Sequence, residues 1–143
     1  KDHGFMPIVV DARTPKDYAA WLTARKQAVA DDPGKVWTMP ELRARGEKVF
    51  QQNCMACHQA DGRGIPGSFP ALAGSRIATG DPAAHIEIVL HGSKKNPAMA
   101  AFGRQLSDTD IAAVITYERN AFGNQTGQMI EPARIAAARQ GKG

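Results

Sequence analysis

The residues best suited to chemistry lie close together near the middle of the chain, in the stretch NCMACHQADGRG over residues 53–64. Cys54 and Cys57 are the two cysteines of this 143-residue sequence, and His58 follows the second one directly. Two thiols at this spacing occur in disulfides, zinc sites, thioredoxin-like redox pairs and haem attachment motifs. Each of these four alternatives makes a different demand on the rest of the sequence.

Three of the alternatives find little support elsewhere in the chain. A structural zinc site needs four ligands, and neither a second cysteine pair nor a closely spaced histidine pair follows the motif. A thioredoxin-like pair expects a strand–helix–strand context, which a mainly helical sequence lacks. A disulfide across two intervening residues would close a very small loop and stabilise the fold little.

The haem interpretation accounts for all three residues together. Each thiol can form a thioether with one vinyl group of the same porphyrin, and His58 is then the expected proximal iron ligand. This interpretation also suits the composition, because aromatic residues make up only 6% of the chain and a covalently held porphyrin would fill a thin core. A colourless interaction module with a disulfide or two free thiols stays open as the alternative.

The function of such a haem depends on the second axial position of the iron. Met99 is the expected ligand, because it lies forty-one residues after His58 in a loop between two predicted helices. Met55 lies inside the attachment loop and cannot reach the opposite face, while His85 and His91 are the rival candidates. Methionine–histidine ligation favours ferrous iron and an electron carrier, whereas an open or labile position would indicate a ligand-binding or catalytic haem protein.

A proximal histidine needs a hydrogen-bond acceptor for its second ring nitrogen, which orients the ring. The stretch FPAL over residues 69–72 is suitably placed, and the carbonyl oxygen of Pro70 is the expected acceptor.

The elements that must position these residues are mostly helices. Capping residues and apolar periodicity predict them, with Thr14, Asp81 and Ser107 as N-caps and Gly92 as a C-terminal stop. A β-branched run over residues 6–12 predicts one short strand. The predicted helices span residues 14–29, about 40–53, 80–92 and 107–124, with a short helix or tail at 131–139.

Charge and hydropathy exclude several classes of protein. The net charge is +4 without a run of basic residues, so we expect no nucleic-acid partner. The longest apolar runs are too short for a bilayer span, and the first residues do not read as a signal peptide. We therefore expect a fragment or processed form that has no anchor of its own.

Four segments resemble the class I cytochrome c domain at the C-terminus of subunit II in bacterial haem-c-containing cytochrome c oxidases. They are RGEKVFQQNCMACHQADGRG, FPALAGS, NPAMAAFG and LSDTDIAAVITYERNAFGN. The resemblance implies an all-α class I cytochrome c fold, with three to five helices around a covalent haem and a short N-terminal strand remnant. It also implies that the helix from Pro40 crosses the helix from Ser107 at Gly46, with Phe50 and Tyr117 filling the contact. The sequence departs from many members in having Ala100, rather than proline, after Met99.

The N-terminal stretch HGFMPIVV resembles the end of the CuA domain of the same subunit. His3 and Met6 match the positions of its last two copper ligands. The two bridging cysteines of a CuA centre would lie upstream of this chain, and Cys54 and Cys57 belong to the haem motif. We therefore expect His3 and Met6 to be orphaned ligands and the copper centre to exist only in the intact parent subunit.

The resemblance implies an organisation and a function for the whole chain. Residues 1–34 would be the end of a CuA domain with a connecting helix or linker, 35–125 the haem domain and 126–143 a C-terminal tail. Electrons would pass through the haem toward CuA, and the domain itself would catalyse no reaction, although its parent belongs to a proton-translocating oxidase.

The implied partners are an electron donor, such as a small cytochrome c or the bc complex, together with the rest of subunit II and subunit I. Lys94, Lys95 and Arg104, near Met99, form either a docking patch for such a partner or an ordinary solvated face. The implied location is the periplasm or the outer face of a bacterial inner membrane, with the parent protein anchored in that membrane.

Overall fold

The computed structural model describes residues 10–29 and 35–141, and within these residues every regular element is an α-helix. A single antiparallel bridge between Ile65 and Phe69 is the only β-type pairing in this part of the chain. No helix within it has both the length and the apolar character that a membrane span requires. The helices are α1 (Pro15–Val29), α2 (Met39–Asn53), α3 (Met55–His58), α4 (Arg76–Thr79), α5 (Pro82–His91), α6 (Asp108–Arg119) and α7 (Pro132–Arg139).

The chain forms two compact units, which divide between Gly34 and Lys35. In the first unit, α1 begins as predicted, because the Asp17 amide donates to the Thr14 hydroxyl at 3.2 Å. Tyr18 and Trp21 of this helix stack with ring centroids 5.7 Å apart and are 52% and 38% exposed. The structure differs from the predicted strand over residues 6–12, since residues 10–12 belong to no strand and residues 6–9 lie outside the described part. A lone strand has no partner for its backbone hydrogen bonds.

The second unit is organised around the crossing of α2 and α6. A Cβ on Gly46 would lie 2.0 Å from the carbonyl oxygen of Ala113 and 2.7 Å from Cβ of Tyr117. Glycine therefore lets the two backbones approach each other at this point, as the family resemblance implies. Phe50 and Tyr117 fill the contact with ring centroids 5.6 Å apart.

A third aromatic ring, which the sequence analysis did not identify, completes this contact. Phe122 lies 5.0 Å from Phe50 and 5.4 Å from Tyr117, measured between ring centroids. Its φ of 59° is in the left-handed region, which a bulky residue adopts only when packing compensates the strain. The ring lies against Gly62, where an added Cβ would come within 2.5 Å of it.

The chain after α6 packs into the core of the second unit. Ile130 and Ile135 are 1% and 0% exposed, and both belong to the same core as Ile111 and Ile115 of α6. The amide of Ile130 donates to the buried Thr116 hydroxyl at 2.9 Å. The segment over residues 126–143, which the resemblance implies to be a C-terminal tail, thus contributes two fully buried side chains to the core.

Two buried polar side chains near the end of α6 hold the loops that precede α5. The Arg119 guanidinium donates to the carbonyl oxygens of Ala78 at 3.1 Å and Gly80 at 2.7 Å, and burial lowers its pKa from the ordinary value. Asn124 accepts from the Gly74 amide at 2.8 Å and donates to the Leu72 carbonyl at 3.1 Å. These bonds fix the segment over residues 72–80 against α6.

Candidate functional site

An apolar cavity of about 330 Å³ opens in the second unit, within the size range of sites for small molecules and cofactors. Its walls come from segments far apart in the sequence, including the end of α2, α5, α6 and the loops between them. Cys54, Cys57, His58 and Met99 all line it. Much of the remaining wall is apolar, including Leu72, Ile88, Val89, Phe102, Leu106 and Val114.

A single helical turn brings the attachment motif to this cavity. The Cys57 and His58 amides both bond to the carbonyl oxygen of Cys54, at 3.1 and 3.0 Å. Residues three and four apart share a helix face, so all three side chains are presented on the same side. Both cysteines are free thiols.

Cys54 is held in its protonated form. Burial raises the pKa of its thiol far above the ordinary value, with a further contribution from the nearby Glu118 carboxylate. Redox-active cysteines need the thiolate instead. This environment therefore disfavours a thioredoxin-like role for Cys54.

Of the two ring nitrogens of His58, Nδ1 is held by a hydrogen bond and Nε2 is available to bind a metal. Its side chain is buried, and Nδ1 lies 2.9 Å from the carbonyl oxygen of Pro70. A carbonyl can only accept, so Nδ1 carries a proton, and in the neutral ring the lone pair is on Nε2. A neutral imidazole in this tautomer is ready to bind a metal through Nε2.

The approach of the Pro70 carbonyl depends on a glycine. Gly64 has φ of +65°, and an added Cβ would lie 2.3 Å from the Phe69 oxygen and 2.7 Å from the Pro70 oxygen. The Gly64 amide also donates to the His58 carbonyl at 2.9 Å. The loop thus closes tightly over His58, and a side chain at residue 64 would push the Pro70 oxygen away.

Met99 lines the same cavity from a loop that several hydrogen bonds hold in place. Its amide donates to the Asn96 carbonyl at 3.0 Å, and its carbonyl accepts from the Ser93 amide at 3.1 Å. The Asn96 side chain donates to the Ser68 carbonyl at 3.0 Å, which joins this loop to the loop that carries Pro70. Met99 Sδ offers a soft thioether ligand.

The two rival histidines differ in their surroundings. His91 is exposed and lies 3.7 Å from the Glu87 carboxylate, away from the cavity lining. His85, the other rival candidate, is buried and lines the cavity. Its Nε2 lies 2.8 Å from Oε2 of Glu118, so that nitrogen is already engaged.

Glu118 also lines the cavity, and the sequence analysis did not identify it. The sequence does indicate that Glu118 is buried. This residue follows Ile111, Val114 and Ile115 at helical spacing and so lies on the same buried face of the helix. A charged residue on such a face indicates a buried polar contact.

Other residues singled out from the sequence lie elsewhere. Lys94, Lys95 and Arg104 are exposed, as a docking patch or a solvated face would require. His3 and Met6 lie outside the described residues.

Arg139 of α7 supports the segment that follows Met99. Its guanidinium hydrogen-bonds to the carbonyl oxygens of Gly103 and Leu106, the latter at 2.9 Å, and pairs with Asp108. From the other side, the Phe102 and Gly103 amides donate to the Val89 and Leu90 carbonyls at 3.0 and 3.1 Å. The segment is thus held between α5 and α7.

Replacing Arg139 with alanine should lower the free energy of unfolding by about 2 kcal/mol, since partly exposed charge-assisted hydrogen bonds are lost. It should also speed amide hydrogen exchange of Phe102 and Gly103, which hydrogen–deuterium exchange can measure. Arg134→Ala is the matched control, because that exposed side chain on the same helix makes no hydrogen bond or ion pair with the described residues. Equal exchange in both variants would contradict this role of Arg139.

Comparisons with known proteins show which proteins this chain is similar to. A family model described as "Cytochrome C oxidase, cbb3-type, subunit III" matches residues 41–117. Cytochrome c-552 of Thermus thermophilus is 37% identical over 95 residues, which cover 57% of this chain and 71% of that protein. The cbb3-type cytochrome c oxidase subunit FixP of Azorhizobium caulinodans is 36% identical over 99 residues, covering 62% of this chain and 33% of FixP.

A third relative is much longer than this chain. The cytochrome c subunit of the quinone-dependent alcohol dehydrogenase of Gluconobacter oxydans is 32% identical over 103 residues, which cover 66% of this chain. The match spans only 22% of that subunit. The similarity therefore concerns one domain that occurs in several kinds of redox protein.

Proposed function

Because the chain belongs to the family of class I c-type cytochrome domains described as cytochrome c oxidase, cbb3-type, subunit III, we propose that it transfers single electrons through one covalently bound haem c. The observation that carries the proposal is the meeting of four residues at one apolar cavity. Cys54, Cys57 and His58 line it from one short stretch, and Met99 lines it from a loop forty-one residues further on.

Each of these residues has a distinct role. The Cys54 and Cys57 sulfurs would hold the porphyrin through two thioethers, and His58 Nε2 and Met99 Sδ would bind its iron. When bound, the haem iron supplies a one-electron couple between its ferrous and ferric states. The Pro70 carbonyl keeps the His58 ring in one tautomer and orientation, and the ties on the Met99 loop keep its sulfur in place.

The apolar lining of the cavity supports the same function. Low polarity in the cavity would limit the access of water to the iron, and His58 and Met99 would hold the iron from two fixed positions of this chain. Little reorganisation is then needed when an electron arrives or leaves. The domain would catalyse no bond-making or bond-breaking reaction of its own.

We further propose that the electron acceptor is the CuA centre of a cytochrome c oxidase, within subunit II. The support is the resemblance of HGFMPIVV, with His3 and Met6 at copper-ligand positions, and of the segment around RNAFGN over residues 119–124. The donor would be a small cytochrome c or the bc complex, at the periplasmic or outer face of a bacterial inner membrane.

The first test is the absorption spectrum of the protein produced together with a cytochrome c maturation system. We expect sharp c-type bands on reduction, a far-red band of ferric iron bound to thioether sulfur, and haem that stays on the chain in a denaturing gel. Cys54→Ser with Cys57→Ser should remove covalent haem completely, because both thioethers are lost. Met55→Ala, an exposed position inside the same motif, should retain it. A colourless matured protein would overturn the proposal.

A further inference from the structure

A buried acid–base pair lines the cavity next to the residues assigned to the haem. His85 of α5 and Glu118 of α6 lie 2.8 Å apart, from Nε2 to Oε2, and their side chains are only 2% and 5% exposed. Both belong to the cavity lining. Neither has a place in the proposed coordination of the iron, so the pair needs an explanation of its own.

The hydrogen bonds available to the pair favour one arrangement of its protons. Nδ1 of His85 is buried and has no hydrogen-bond partner among the described residues. A protonated imidazolium, or a neutral ring that accepts from a Glu118 carboxylic acid, would carry a proton on Nδ1 and bury an unpaired donor. A neutral ring that donates from Nε2 to a Glu118 carboxylate buries no unpaired donor and leaves Nδ1 as an unpaired acceptor instead.

No cation within the described part of the chain balances this carboxylate. The neighbouring Arg119 directs its guanidinium to the Ala78 and Gly80 carbonyls and to Gln128. Asn124 donates to the backbone carbonyl of Glu118 at 2.8 Å, not to its carboxylate. Arg76 lines the cavity from α4, but it is exposed to solvent. His85 is the hydrogen-bond partner that the structure gives to the Glu118 carboxyl group.

We propose that Glu118 is an ionised carboxylate in the wall of the haem cavity and lowers the reduction potential of the haem, with His85 as the residue that positions it. Oxidation adds one positive charge at the iron, and a nearby negative charge in a poorly polar environment stabilises that state. The inference rests on the proposed function, since it requires haem in this cavity.

Potentiometric titration of the matured protein tests the proposal. Glu118→Gln removes the charge while its amide oxygen can still accept from His85 Nε2–H. We expect the ratio of reduced to oxidised protein at a fixed potential to rise at least tenfold, which is about 59 mV for one electron. Glu87→Gln is the matched control, because it makes the same chemical change on α5 at a side chain 65% exposed. Solvent and salt screen that charge, so its effect should be much smaller. Equal shifts in the two variants would overturn the proposal.

Infrared spectroscopy of the wild-type protein gives a test that does not depend on the variant's folding. The chain has five glutamates, and the other four, Glu41, Glu47, Glu87 and Glu131, are exposed. In protein labelled with ¹³C-glutamate, a protonated carboxyl band at neutral pH would therefore report Glu118. We expect no such band, and its presence would overturn the ionised state.

His85→Phe tests the positioning role directly. Without its donor, the buried Glu118 should take up a proton, so the labelled carboxyl band should appear and the reduction potential should rise. A merely structural role of His85 would produce neither change, and the absence of both would overturn its assignment. A failure of the proposed electron-transfer function can be told apart from a failure of the Glu118 proposal. In the first case the wild-type protein would carry no covalent haem.

Discussion

Met99→Ala should abolish the far-red absorption band of the ferric protein and lower the reduction potential of the haem. Removal of the thioether sulfur leaves water or another ligand at the second axial position, and both favour ferric iron more than methionine does. The ratio of reduced to oxidised protein at a fixed potential should fall at least tenfold, about 59 mV. Absorption spectroscopy and potentiometric titration measure the two effects.

Met129→Ala is the appropriate control for this substitution. Met129 lies beyond α6, is half-buried and takes no part in the cavity lining. The variant should therefore keep the far-red band and a potential close to that of the wild type. If the band persists in Met99→Ala, the assignment of Met99 is wrong and the thioether sulfur must come from another methionine. If the matured wild-type protein lacks the band, His85 is the next candidate in the cavity.

Gly46→Ala should destabilise the second unit by about 3 kcal/mol or more, even though alanine is the better helix former by about 1 kcal/mol. The added Cβ would lie 2.0 Å from a backbone oxygen of α6, so a whole helix must move rather than a flexible side chain. Because Cys54 follows α2 and Glu118 belongs to α6, this movement would also distort the cavity walls. Denaturant unfolding of the matured protein measures the loss.

Ala44→Val separates the close approach from a general effect of bulk in α2. Ala44 is exposed on the same helix, and valine there should cost only about 0.6 kcal/mol through its lower helix propensity. If Gly46→Ala unfolded at the same denaturant concentration as the wild type, the close crossing of α2 and α6 would be wrong.

The sequence predicted the local features of the fold best. The caps of α1, α5 and α6 at Thr14, Asp81 and Ser107 are confirmed, as is the end of α5 at Gly92. Each depends on residues within a few positions of one another, so a short stretch contains the necessary information. The all-α fold class, which the resemblance implies, is confirmed within the described residues.

The features that the sequence analysis did not identify depend on contacts between distant segments. His85 and Glu118 are thirty-three positions apart, and their pairing requires knowledge of which faces of α5 and α6 meet. The packing of Ile130 and Ile135 likewise requires the path of the chain after α6. Amphipathic periodicity shows which side of a helix is buried but not what lies opposite.

The overlap between cavity lining and hydrophobic core links cofactor supply to protein abundance. Leu72, Val89 and Val114 belong to the core and also line the cavity. Each of these side chains therefore packs against other protein atoms on one side and faces the cavity on the other. A chain that never receives its haem would lack those contacts on one side, at a cost that grows with the unfilled volume. Such chains should populate open states more often and be removed by cellular proteases. The steady-state amount of this protein in a cell should therefore report how much haem the maturation pathway delivers.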